Sequence, residues 1–379
     1  MSKKILFISS TVQFYENFLY ETINKLSKNN EIIIITNTVN QSYNFKNIIL
    51  KHIYLSRSIN PIKDIYNTYQ LGLYLNFIKP DIIISSSPKG GLIATLANFF
   101  FQIPRIHILT GIIWSDKNKN LLGKITKAID LINFKYSKKI YVDSESQIKF
   151  LLNNNFSQNK FSLIYKGSIK GVDVEKFRFE TKDKRIKNMK FNLSSNTLIV
   201  LFLGRISPEK GIKTFLSVIK DIVNDGYDVK GFIVGRDEKN ILRNYKKHNL
   251  DFDQYFRYFE YTNNPEFFLK SADLVLIPSS REGFCQVAIE ASACQVPVIG
   301  FDVIGLKDSI KDDVSGFLVP YNDKLKLIEK IKILLKNEDL RLQIGEKGRE
   351  FVKNNFNKHE VIDNLIKQIN HDLKLYCHD

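Results

Sequence analysis

The chain has 379 residues, 44% apolar, 12% aromatic and 25% charged, which excludes a disordered chain or a mini-protein and predicts two domains with separate cores. Its net charge is +16, and residues 1–170 hold 22 basic against 9 acidic residues while the remainder is nearly neutral. The first half therefore either meets an anionic partner (nucleic acid, acidic lipid or a phosphorylated ligand) or presents a lysine-rich solvated surface.

The opening run KKILFIS reads as a strand, not a signal peptide, because Gln13, Tyr15 and Glu16 follow at once. EIIIITN, IILKHIYL, DIIISSS, RIHILTG, KIYVDS and FSLIYKG follow, apolar almost continuously as strands covered on both faces must be. Helices are predicted over Pro61–Ile78 and Gly90–Phe101, with Pro80 and Pro104 closing them. Gly91–Phe101 is far short of the ~20 apolar residues that span a bilayer, so the protein can lie on a membrane but should not cross one. Lys117, Lys119, Lys124, Lys127, Lys135, Lys138 and Lys139 flank a helix with Leu121, Leu122, Ile125, Ile129 and Ile132 at helical spacing. That apolar stripe is expected mostly in the core, and its lysines could dock on anionic lipid.

After a polar stretch over Glu175–Lys190 comes a second series, LIVLFLG, VKGFIVG, QYFRYFEY, LVLIPS, VPVIGFD and GFLVP, and from Asp323 onward only helix. Strands alternating with helices in two series predict an α/β fold of two Rossmann-like domains facing each other across a cleft, residues 1–170 and 171–355, with the ligand at the C-terminal ends of strands. A last helix, 356–379, is expected to pack back on the first domain. Cys285, Cys294 and Cys377 show no CxxC spacing, and a reducing cytoplasm fits them best.

No GxGxxG follows a strand and no GxxxxGK[ST] occurs, which argues against dinucleotide and P-loop sites. The histidines form no HExxH and no Cys/His array, Cys377-His378-Asp379 reads as a frayed terminus, and Asp251-Phe252-Asp253 is either a metal-holding Asp-x-Asp or a solvated turn. In LVLIPSSREGFCQVAIEASACQVPVIGFD a buried strand ends at Pro278, and Glu282-Gly283-Phe284 is expected to open a helix running towards Cys294. Its first amides would make an anion site built from backbone. Glu282 and Glu290, eight apart, would then lie roughly on one helix face, Glu290 about 12 Å along it. They either accept hydrogen bonds from ligand hydroxyls, or complement the helix dipole and sit on the surface. One Rossmann unit earlier, LIVLFLGRISPEKGI supplies Gly204, Arg205, a helix start at Ser207-Pro208-Glu209, and Lys210. A guanidinium fork and a point charge are complementary ways of holding phosphate oxygens, so the two segments together read as a diphosphate-plus-sugar site.

GRISPEKG, PSSREGFCQVAIEASACQVPVI, VSGFLVP and the interdomain GVDVEKF, in order, resemble retaining glycosyltransferases of family 4, which have the GT-B architecture. KPDIIISSSPKGGLIATLANFFFQIPRIHILTGIIW and VDSESQIKFLL resemble a bacterial subgroup that extends lipid-linked oligosaccharides for surface polysaccharides such as O-antigen and capsule. The resemblance implies that Glu282 binds hydroxyls of the transferred sugar, with the amides of Gly283, Phe284 and Cys285 beside sugar and phosphate. Arg205 and Lys210 would neutralise the diphosphate, Glu290 would hold the ribose, and Tyr261 and Thr262 would fall in the base-binding loop. It further implies a UDP-linked donor, an N-acetylhexosamine by subgroup likeness, and a polyprenyl-diphosphate-linked saccharide acceptor. No metal or other cofactor and no nucleic acid would be involved, and the protein would sit peripherally on the cytoplasmic face of the inner membrane. On the acceptor side Ser10 and Thr110-Gly111 stand where many members have glycines and a His-Gly. His107, three residues before Thr110, falls on the opposite face of its strand and is either a buried, hydrogen-bonded histidine or a functional one. Two other classes are weighed: a nucleotide-sugar 2-epimerase of the same architecture, which would need acid/base carboxylates and histidines around the sugar, and a basic nucleic-acid-binding protein, for which no recognition motif appears.

Overall fold

The computed structural model describes residues 2–37, 48–55, 60–114, 121–178 and 191–377. Lys117, Lys119, His378, Asp379 and residues 179–190 of the polar stretch lie outside the described residues. The chain divides into two compact units, Met1–Lys170 with His359–Asp379, and Gly171–Lys358.

The first unit is built on seven strands: β1 (Lys4–Ile8), β2 (Glu31–Thr36), β3 (Ile48–His52), β4 (Ile82–Ser86), β5 (Arg105–Leu109), β6 (Lys139–Val142) and β7 (Phe161–Leu163). They form one sheet in the order β3-β2-β1-β4-β5-β6-β7, and every pairing is parallel, with Ile5 opposite both Ile32 and Ile82. Helices cover both faces, which is why the central strands carry isoleucine on both sides. One face is closed by Tyr15, Leu19 and Ile23 together with Leu365, Ile369 and Leu373 from the C-terminal helix Lys358–Tyr376. Tyr141 reaches into that layer and donates its hydroxyl proton to Asp372 Oδ2 at 2.8 Å. The opposite face is closed by Leu71 and Leu75 of helix Pro61–Ile78 and by Ile93, Ala94 and Ala97 of helix Pro88–Ala97. The latter begins two residues earlier than expected, because Pro88 supplies a preset φ and Ser87 Oγ accepts from Gly90 N at 3.2 Å.

Helix Leu121–Tyr136 overturns the expected core stripe. Leu121 and Leu122 are exposed and Ile125, Ile129 and Ile132 only half-buried, whereas Thr126, Asp130 and Asn133 point inward. A buried guanidinium dictates this: Arg105 donates to the Asn133 carbonyl at 2.8 Å, and a Cβ on Gly91 would lie 2.7 Å from Asn133 Oδ1. The inward face must therefore be polar and slim. Asp130 accepts from Trp114 Nε1 at 2.8 Å, and burial pushes its carboxyl up to about 7 against that hydrogen bond.

The second unit repeats the plan with β8 (Leu198–Leu203), β9 (Val229–Val234), β10 (Phe256–Phe259), β11 (Leu274–Ile277), β12 (Val298–Phe301) and β13 (Gly316–Val319), all parallel in the order β10-β9-β8-β11-β12-β13. The expected strand QYFRYFEY shortens to Phe256–Phe259, because Phe252–Tyr255 turns once as helix. There Asp251 pairs with Lys220 at 3.0 Å and Asp253 with Lys246 at 2.9 Å. Helices Lys324–Lys336 and Glu338–Asn355 follow the sheet, and Arg341 closes the first by donating to the Leu334 and Leu335 carbonyls at 2.5 and 3.1 Å.

The backbone enters and leaves this unit side by side. Val172 N donates to Phe356 O at 2.8 Å, and Lys358 N donates to Val172 O at 3.0 Å. All three cysteines are buried, unpaired thiols. Among the described residues no helix is long and apolar enough to cross a membrane.

Candidate active site

Strand order reverses at β1/β4 in the first sheet and at β8/β11 in the second. Loops leaving the carboxyl ends of two such strands diverge and leave a crevice. In the second unit those two loops carry the singled-out charges, Arg205 and Lys210 after β8 and Glu282 after β11. Lys210 Nζ donates to Glu282 Oε1 at 2.6 Å and Oε2 at 2.7 Å. The Glu282 side chain is nearly buried, at 8% exposure, and the Lys210 side chain keeps 27%, so an anionic ligand can approach it. Arg205 is half-exposed, with Nη2 4.0 Å from Glu209 Oε1. Burial raises the Glu209 carboxyl, but a hydrogen bond to its own backbone and the charges of Arg205 and Arg281 bring it below its ordinary range.

Close backbone approaches hold these loops in place. Ser280 N donates to Glu209 O at 2.9 Å, and Glu282 N donates to Ile304 O at 3.3 Å. Gly211 has φ +75°, and a Cβ there would stand 1.9 Å from Pro278 O; one on Gly305 would stand 2.2 Å from Gly283 O. Gly204 differs, since at φ +148° a Cβ would meet nothing within 4 Å. Backbone conformation alone demands glycine there, and the space above it is open.

The helix after β11 spans Gln286–Ala293 with Cys285 as N-cap, so it does not open at Glu282. Glu282 sits in the preceding turn, drawn to Lys210 by its side chain and to Ile304 by its amide, and shares no helix face with Glu290. Glu290 is buried within the helix and is not a surface residue. Arg349 closes the helix by donating to Ala293 O at 2.6 Å. Phe284 packs edge-on against Phe356 at 5.2 Å, Gly283 is half-buried beside it, and burial pushes the Cys285 thiol up to about 12 with help from the Glu282 charge. That thiol stays neutral.

Tyr261 and Thr262 follow β10; Tyr261 is exposed, and Thr262 Oγ1 accepts from Asn264 N at 2.9 Å. The Arg236 guanidinium lies 4.4 Å over the Tyr261 ring, an arrangement sequence reasoning missed. A signal was present: Gly235-Arg236 after FIV repeats Gly204-Arg205 after LFL. The two turns touch, for Ile206 N donates to Arg236 O at 3.0 Å.

In the first unit Thr110 and Gly111 lie just past β5, Thr110 exposed and Gly111 at φ +141°. Ser10 is buried after β1, and its amide donates to Ser87 Oγ at 3.4 Å. His107 is separated from them. It is fully buried, with Nδ1 2.9 Å from Ser85 Oγ, which also accepts from Arg105 Nη1 at 2.8 Å. Burial first and the Arg105 charge second lower it to about 3. The imidazole is thus neutral in the fold but protonates below about 6.5 in the unfolded chain, so its contribution is present above that pH and lost as pH falls towards 3. Between pH 7 and pH 5 this predicts a loss of about 2 kcal/mol that His107→Gln does not show. Urea unfolding of both proteins at the two pH values checks it, and equal losses would refute it.

Two doubly wound parallel sheets in one chain are the architecture of GT-B glycosyltransferases. The Anabaena protein HepE, solved in complex with UDP-glucose, superimposes with a TM-score of 0.80 at 15% identity over 97% of this chain and all of that one. Residues 183–351 match the family Glycosyl transferases group 1. An uncharacterized glycosyltransferase of Methanocaldococcus jannaschii is 30% identical over 88% of both chains, and the chain belongs to this family of glycosyltransferases. The capsular polysaccharide biosynthesis glycosyltransferase CapM of Staphylococcus aureus is 29% identical over 92% of this chain and 91% of its own. The UDP-Gal:alpha-D-GlcNAc-diphosphoundecaprenol alpha-1,3-galactosyltransferase of Escherichia coli is 26% identical over 82% and 80%.

Proposed function

We propose that this glycosyltransferase moves a sugar, with retention of anomeric configuration and without a metal, from a UDP-linked donor to a polyprenyl-diphosphate-linked glycan in the synthesis of O-antigen, capsule or a related surface polysaccharide. The observation that carries the reading is the Lys210–Glu282 pair, with Arg205 beside it, at the switch point of the second sheet. When the bond from the anomeric carbon to the diphosphate breaks, its electron pair stays on the departing phosphate oxygen. Arg205 and Lys210 offer positive charge to that oxygen in a partly desolvated place, where charge acts most strongly. Glu282, released from Lys210 as phosphate takes over the ammonium, is assigned to hydroxyls of the sugar. Glu290 is assigned to the ribose, the amides of Gly283, Phe284 and Cys285 and the open backbone at Gly204 to donor sugar and phosphate, and Tyr261 and Thr262 to the base. Ser10, Thr110 and Gly111 are the acceptor-side candidates.

Support for the acceptor comes from the activity for which the E. coli relative is named, and for a UDP donor from that activity and the HepE complex. An N-acetylhexosamine is the first donor sugar to test, at the cytoplasmic face of the membrane where such a lipid would be met. The test is UDP release by the purified, chelator-treated protein over a panel of UDP-sugars, with and without a polyprenyl-diphosphate disaccharide. Acceptor-dependent release with an α-linked product from an α-linked donor is expected. Inversion of configuration, or conversion of the donor without acceptor as an epimerase would give, overturns the reading.

A further inference from the structure

We propose that the outward face of helix Pro61–Ile78 is the surface on which the protein rests against an anionic lipid bilayer, an inference that deepens the lipid-linked-acceptor reading and rests on it. This helix is apolar on two opposite sides. Leu71 and Leu75 point into the core, whereas Ile62, Ile65, Tyr66, Tyr69, Leu73 and Phe77 are exposed, from 55% at Leu73 to 88% at Phe77. At about 100° per residue the six fall within an arc roughly 120° wide, and the stripe runs about 22 Å along the axis. Asn76 is the single polar residue in that arc. With about 200 Å² per large side chain, the open apolar area is roughly 800 Å², above the few hundred Å² usual for the largest patch on a soluble monomer.

Exposed apolar side chains also occur at the next two helices of the same layer. Phe99 and Phe100 are exposed just past Ala97, and Leu121 and Leu122 are exposed at the start of helix Leu121–Tyr136, whose inward side is the polar one. In the second unit no helix carries more than two exposed large apolar side chains among the described residues, as helix Lys324–Lys336 does with Leu325 and Ile333.

Charge decides the occupant. The described residues of these three helices hold Lys63, Lys124 and Lys135 exposed and no exposed carboxylate, since Asp64 pairs with Lys89 at 2.7 Å and Asp130 is buried. A second copy would bring like charge against like, and residues 1–170 already carry 22 basic against 9 acidic groups. Lipid phosphates supply the opposite sign, and a helix with aliphatic and aromatic side chains on one side and lysine at its margin lies in the headgroup region with the apolar side down.

The test is vesicle co-sedimentation of the full chain with phosphatidylcholine vesicles that contain or lack phosphatidylglycerol. The wild type is compared with the triple variant Ile65→Glu/Tyr69→Glu/Leu73→Glu and with the control Leu325→Glu/Leu342→Glu, after circular dichroism has shown each to be folded. Expected are salt-sensitive binding to the anionic vesicles, at least tenfold weaker binding by the triple variant, and no change in the control. UDP release with a water-soluble, short-chain acceptor should stay within threefold in all three. Triple-variant binding within twofold of wild type, equal binding to neutral vesicles, or a wild-type dimer that the triple variant splits without loss of vesicle binding would overturn the proposal. A wild type that binds vesicles through this stripe but releases no UDP overturns the acceptor reading and leaves the lipid-facing surface in place.

Discussion

Lys210→Ala is expected to lower kcat by about 10²–10³-fold, the usual loss when one preorganised donor to a developing negative charge is removed. The ammonium is held by both oxygens of Glu282 at 2.6 and 2.7 Å, so it is already fixed in place before any ligand arrives. If its work is done on the departing phosphate, the loss appears in kcat and in kcat/KM together; a loss confined to KM would mean that it only binds. Arg205→Ala, on a half-exposed side chain, should cost about tenfold, because solvent screens that charge more strongly. Lys210→Ala should also destabilise the fold by about 1–3 kcal/mol, because it leaves the nearly buried Glu282 carboxylate without its cation, whereas Arg205→Ala, on a half-exposed side chain, should change folding little. Unchanged kcat in both variants would remove these cations from the chemistry, and thermal melts run alongside separate such a result from misfolding.

Gly211→Ala should destabilise the protein by about 3 kcal/mol or more and abolish turnover, although it adds only one methyl group. Two costs coincide there. The residue sits at φ +75°, where an alanine is strained by about 1–3 kcal/mol, and its Cβ would fall 1.9 Å from the Pro278 carbonyl oxygen. Relief requires the loops after β8 and β11 to part, and those loops carry Lys210 and Glu282. Gly226→Ala is the control, at φ +88° with nothing within 4 Å of the new methyl; it should show the strain alone. Similar urea midpoints for the two variants would mean that the loop contact contributes nothing.

Much of the fold is visible in the residues because β2 and β4 carry unbroken isoleucine runs and β1 is apolar from Ile5 to Ile8, and only sheets covered on both faces ask for that. The charges of the site are visible for a related reason, since Arg205, Lys210 and Glu282 follow such runs directly. The faces of helix Leu121–Tyr136 are not. Periodicity assigns the apolar side to the core, but a buried Arg105 one strand away reverses the assignment, and nothing local to the helix announces that guanidinium. The place of Glu282 is hidden for a similar reason. Its spacing from Glu290 fits a helix, while the non-local partners Lys210 and Ile304 hold it in a turn. Loop-to-loop contacts at Gly211 and Gly305 join residues far apart in sequence and leave no periodic trace. The Arg236–Tyr261 stack does leave one, in the repeated strand-Gly-Arg.

The hydrogen bonds between Val172, Phe356 and Lys358 bring the two ends of the second unit next to each other. A segment whose first and last residues are already neighbours behaves as a cassette. Residues 171–358 can be excised as one piece and their place closed with a few residues, and a related segment with the same paired ends can be spliced in without disturbing the C-terminal helix that completes the host's core. Exchange of whole modules between members of such a family, by recombination or by design, needs only two junctions, and the backbone pairing marks both.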